Sequence, residues 1–157
     1  MNPITVTALV VLLVAGALAL RFFWQLRRDG APIASVLAGS LGLLSGSTIA
    51  TLGVIHLAAV ARLELRRSPL HYDFRVYALI LLGVTLTSLG TCLAAASVRL
   101  ARGEMAAERP AIWAAVALLV VNAPLGPLQD LAIVLCLLLA VSLAALLATS
   151  GPTTKAA

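Results

Sequence analysis

The stretch Gly39–His56, GSLGLLSGSTIATLGVIH, carries a small residue at almost every third or fourth place. Gly39, Gly42, Gly46, Gly53 and His56 keep an alternating step of three and four, interrupted only by Ile49. The stretch Gly83–Ser97, GVTLTSLGTCLAAAS, repeats that rhythm with Gly83, Thr87, Gly90, Ala94 and Ser97. Such a step keeps residues on one face of a helix, and small residues there let a second backbone approach closely. The two stretches lie inside longer apolar runs, about 33–61 and 72–98, joined by a short charged segment. Together they read as a Gly-rich helical hairpin, two antiparallel helices in close contact, around which the rest of the chain is arranged.

Composition names the solvent for such a hairpin. Of the 157 residues, 62% are hydrophobic and 11% charged, and the mean hydropathy is +1.09. A soluble domain of this size has too little interior to hide that much apolar surface, so the expected surroundings are lipid. The fold class expected is an all-α integral membrane protein. Residues 1–150 read as a single polytopic transmembrane domain and 151–157 as a disordered tail. No length is left for a soluble catalytic or nucleic-acid-binding domain. The net charge of +5 points to no nucleic acid either. Its basic residues stand at the ends of apolar runs, where they set orientation and meet lipid headgroups.

Outward from the hairpin, the run 4–24 is long enough to cross a hydrocarbon core of about 30 Å. It closes on Phe22, Phe23 and Trp24 beside Arg21, Arg27 and Arg28, an interfacial anchor. No Lys or Arg precedes it, so it is expected to be retained rather than removed as a signal peptide. The run 33–61 is long for one crossing, and its Ser45-Gly46-Ser47-Thr48 cluster predicts a bend or break midway. Arg99, Arg102 and Gly103 close the second run of the hairpin. Beyond Pro110, residues 110–123 supply about 21 Å of helix, short of a full crossing, whereas 128–149 supply a full one.

The count is therefore five transmembrane helices, or four if 110–123 does not cross. With the N-terminus outside and the C-terminus inside, the inner face carries Arg21, Arg27, Arg28, Arg99, Arg102, Arg109 and Lys155. The outer face then carries only Arg62, Arg66, Arg67 and Arg75, which favours that orientation. A bacterial cytoplasmic membrane is the expected location.

Chemistry is sparse. No Asp, Glu, Lys or Arg falls in the middle of any run, which argues against an ion-coupled carrier. There is no phosphate-binding loop, nucleophile elbow, CxxC pair or carboxylate dyad, so no catalytic residue and no metal site is assigned. Cys92 and Cys136 read as small hydrophobes within apolar runs.

His56 is the one histidine inside a run. It reads as a core imidazole bonded to Tyr77, a Thr or a carbonyl, or alternatively as an axial ligand for haem or another pigment. His71-Tyr72-Asp73 with Arg75 reads as a solvated junction rather than a metal site. Asn122, Gln129 and Asp130 flank a Pro/Gly break of the kind that lines transporter sites, and that also makes ordinary turns.

The function expected is that of a small, non-catalytic membrane protein, a structural or accessory subunit of a membrane assembly. Its partners would be membrane lipids and other membrane subunits or further copies of itself, with no cofactor and no nucleic acid. Two alternatives stand beside it. One is a channel or carrier for a neutral or apolar solute at Asn122–Asp130; the other is a haem- or pigment-binding subunit using His56.

Overall fold

A computed structural model describes residues 3–30, 33–64, 74–122 and 130–149. The described residues form helices joined by short turns, with no strand among them. The helices are α1 (Pro3–Arg28), α2 (Ile33–Glu64), α3 (Phe74–Ala101), α4 (Glu108–Asn122) and α5 (Asp130–Thr149), with a single 3-10 turn at Met105–Ala107. Ala and Leu, the strongest helix formers, dominate their sequences and leave little competition from extended structure. Three of the helices are long and apolar enough to cross a membrane, over Leu9–Arg28, Ile33–Arg62 and Val76–Ala101. Helix α5 has 20 residues, apolar from Leu131 to Ala148 apart from Ser142, and α4 has 15 residues, about 22 Å of rise.

The break expected midway along α2 is absent, and the helix is continuous from Ile33 to Glu64. The Ser and Thr residues of the suspected break turn their hydroxyls back onto their own helix instead. Ser45 bonds to the Leu41 carbonyl at 2.9 Å, Ser47 to Leu44 at 3.2 Å and Thr48 to Leu44 at 2.7 Å. A hydroxyl satisfied in this way no longer competes with the backbone ladder.

At the other end of the seam α3 stops at a glycine. Gly103 has φ +91°, its N–H bonds to the Leu100 carbonyl at 2.9 Å, and the Glu104 N–H bonds to the Arg99 carbonyl at 3.1 Å. That pair of bonds is the Schellman arrangement, which needs a left-handed residue where Gly103 stands. The Arg99 Nε–Glu104 Oε2 ion pair at 2.7 Å spans the same turn. The reversal aims α4 back along α3.

Helix α2 is the centre of the molecule, touching α1, α3 and α5, while α4 packs on α3 and α5. The core gathers Ala38 and Ile49 from α2, Leu93 and Leu100 from α3, Ala111 and Leu118 from α4, and Leu139 and Leu146 from α5. It runs from the end of the bundle where α2 begins and α3 ends to about the middle of the two helices. Helices α4 and α5 are too short to follow the α2–α3 pair to its far end. There Phe74 is 82% exposed and Leu81 68%, against 0% for Leu93 and 1% for Leu100.

Candidate functional site

The glycines of α2 and α3 meet backbone, and the contacts run in opposite directions along the two helices. A Cβ at Gly39 would meet the Ala101 side chain and sit 2.8 Å from the Ser97 carbonyl. One at Gly46 would lie 2.6 Å from the Ala94 nitrogen and 2.7 Å from the Gly90 carbonyl. One at Gly53 would lie 2.8 Å from the Thr87 nitrogen, and one at Gly90 2.6 Å from the Ala50 nitrogen. Real Cβ atoms do not approach backbone that closely, so at these positions any side chain would push the helices apart. Where the missing Cβ points at a carbonyl, a glycine Cα–H faces that oxygen, a weak contact common between helices.

At Gly42 a Cβ would collide with the Ser97 hydroxyl, which is fully buried and has no hydrogen-bond partner among the described residues. From Gly39 to Leu57 the contact follows about 27 Å of α2.

His56 closes the far end of this seam. Its Nε2 lies 3.1 Å from the carbonyl oxygen of Leu79 on α3. A carbonyl only accepts, so Nε2 carries the proton. The ring crosses Gly83, where a Cβ would lie 3.1 Å from His56 Cδ2 and 2.7 Å from Leu57 Cγ. Of the partners expected for His56, the carbonyl is the one the structure supplies. The space over Gly83 is filled by His56 and Leu57 themselves.

A second polar contact joins helices far apart in the chain. The hydroxyls of Ser45 and Ser142 stand 3.2 Å apart, both fully buried, and Ser142 also reaches the Leu41 carbonyl at 3.2 Å. This tie between α2 and α5 was not foreseen from sequence. The available signal was Ser142 itself, the one hydroxyl between Asp130 and Thr149 in an otherwise apolar helix.

The expected solute-site residues are placed only in part. Asn122, 3% exposed, ends α4 with its Nδ2 donating to the Leu118 carbonyl at 2.8 Å. Asp130 is the first residue of α5, and Gln129 lies outside the described residues. The His71–Asp73 cluster and the tail 151–157 also lie outside them. Cys92 is exposed and Cys136 half-buried, both as free thiols. Among the described residues, no group of three or more His, Cys, Asp or Glu side chains could hold a metal ion.

No known protein family, characterised protein or solved structure matches this chain. The functional reading therefore rests on the geometry.

Proposed function

We propose that this chain is an integral membrane protein with five passes, the fourth shorter than the bilayer core. In this reading it is a non-catalytic structural or accessory subunit of a membrane assembly. The observation that supports the reading is where its polar side chains are spent. The hydroxyls of Ser45, Thr48, Thr87, Thr91 and Ser142, the ring of His56 and the amide of Asn122 all bond to carbonyls. His56 and Ser142 do so between helices. In lipid, where apolar contact gives no net drive between helices, such bonds and close backbone packing are what hold a bundle together. Polar groups spent on architecture are not aimed at a substrate.

The two other readings draw less support. A haem needs open room beside its ligating imidazole, and the space over Gly83 next to His56 is filled by the ring itself and by Leu57. A solute path at Asn122 needs the side chain to be accessible, whereas Asn122 is 3% exposed and donates one N–H to the Leu118 carbonyl within α4. Extraction in a gentle detergent followed by native mass measurement tests the proposal. A stoichiometric complex, with itself or with other membrane proteins, is the expected result. A monomer that carries a neutral solute into liposomes would replace this reading with the transport one.

A further inference from the structure

Four helix ends meet at one end of the molecule. Gly39, near the start of α2, lies against Ala101 at the end of α3, and only residues 29–32 separate α1 from α2. The last turn of α1 and the first turn of α4 therefore share the level of the α3–α4 reversal. Arg27 and Arg28 project from α1, Arg102 from the reversal and Arg109 from α4, all exposed. None of the four has a side-chain hydrogen bond or ion pair among the described residues. Arg99 differs, since Glu104 holds it at 2.7 Å. With Arg99 included, five Arg stand at this end against Asp29, Glu104 and Glu108, an excess of two positive charges.

A second, independent feature marks the same level. The chain has two tryptophans, Trp24 and Trp113, and they are 60% and 72% exposed. Trp24 stands four residues before the end of α1 and Trp113 five after the start of α4, each roughly 6–8 Å in from the basic turns. Indoles on the outside of a helix at one shared height, with guanidinium groups just beyond, match the layering of a bilayer interface. Tyr77 and Phe74 lie exposed at the opposite end of α3. Tyr77 is 24 residues from Ala101, about 36 Å, enough for a hydrocarbon core and part of each interface.

We infer that this end of the protein is a docking surface for anionic phospholipid headgroups. Arg102 and Arg109 approach them from the α3–α4 reversal, and Arg27 and Arg28 from the α1–α2 turn. The inference rests on the membrane reading above and adds the identity of the lipid. A guanidinium presents paired N–H groups that match two phosphate oxygens, and an unpaired one is free to do so. A net negative headgroup, such as phosphatidylglycerol, offsets the positive excess, whereas phosphatidylcholine does not.

The test uses the purified full-length chain in zwitterionic nanodiscs titrated with phosphatidylglycerol. Bound lipid is read by native mass measurement and the unfolding midpoint by thermal melt. Each exposed guanidinium near the surface is expected to contribute about fivefold to affinity. Arg102→Gln/Arg109→Gln should then retain phosphatidylglycerol on the order of 20-fold more weakly, while Arg62→Gln at the other end of α2 should match wild type. Raised salt should weaken retention in wild type more than in the double variant.

Equal retention of phosphatidylglycerol and phosphatidylcholine would overturn the inference, as would the same loss from Arg62→Gln. A midpoint shift reproduced by inorganic phosphate would overturn it too, because the site would then read phosphate and not lipid. Insertion into nanodiscs without headgroup preference defeats this inference alone. A chain that stays monodisperse without detergent or lipid defeats the membrane reading beneath it.

Discussion

His56 Nε2 on α2 lies 3.1 Å from the carbonyl oxygen of Leu79 on α3, and the ring passes over Gly83 to get there. The carbonyl is not orphaned without the imidazole, because the Gly83 N–H stands four residues on in the same helix and occupies the ordinary helical partner position. His56 thus adds a bond between helices without being the sole partner of Leu79.

That relationship sets the size of the first prediction. His56→Leu removes the interhelical bond and leaves no buried acceptor unpaired, so the loss should sit near 0.5–1 kcal/mol. His56→Gln, which keeps an N–H donor, should lose less. Thermal melts in detergent read both variants, alongside an absorption spectrum of the wild type. A porphyrin band that disappears in His56→Leu would show that the histidine ligates a cofactor and does not serve as a helix tie.

The Ser45–Ser142 contact supports a second prediction. With Cys92 and Cys136 replaced by Ser, the pair Ser45→Cys/Ser142→Cys should form a disulfide under mild oxidation. Hydroxyl oxygens 3.2 Å apart aim the two side chains at each other, so sulfurs in their place stand within reach of a bond. A control pair of Ser45→Cys with Val134→Cys, two turns away along α5, should not close. Failure of the first pair and closure of the second would mean that α5 sits in another register on α2.

Much of this arrangement was legible in the chain, and what was not has identifiable causes. Helices α1, α2 and α3 show in hydropathy and length, because Leu, Ala and Val run on with no charged residue in mid-run. The three-and-four step of Gly39, Gly42, Gly46 and Gly53 pointed to one face of α2, and the contacts of those residues are with α3. The continuity of α2 was not legible. Glycine and serine in sequence signal flexibility, and the hydroxyl-to-carbonyl bonds that satisfy those side chains appear only once the helix has formed. Nor was the α2–α5 tie, since two serines 97 positions apart carry no periodic signal. Asn122 was legible as polar but not as self-satisfied.

The two tryptophans provide a third prediction. Because they are the whole indole complement of the chain, single replacements isolate each one's emission. In Trp113→Phe and in Trp24→Phe, lipids brominated near the headgroup should quench the remaining indole more strongly than lipids brominated at the chain end. The two depths should agree, as both residues stand within about two turns of the basic end. One shallow and one deep tryptophan would mean that α1 and α4 do not end at the same interface.

Helices α2 and α3 touch backbone to backbone through their glycines, and one substitution made at two places separates that contact from looser packing. At Gly16 on α1 an added Cβ meets nothing within 4 Å, so Gly16→Ala should hold or raise stability by up to about 1 kcal/mol, the helix-propensity gain. At Gly46 the same methyl would lie 2.6 Å from the Ala94 nitrogen and 2.7 Å from the Gly90 carbonyl. Overpacking against two backbones costs roughly 1–3 kcal/mol, which outweighs the propensity gain. Thermal melts of the two variants in one detergent should therefore move apart, with Gly46→Ala below wild type and Gly16→Ala at or above it. A Gly46→Ala melt that equals or exceeds wild type would contradict the close contact of α2 and α3.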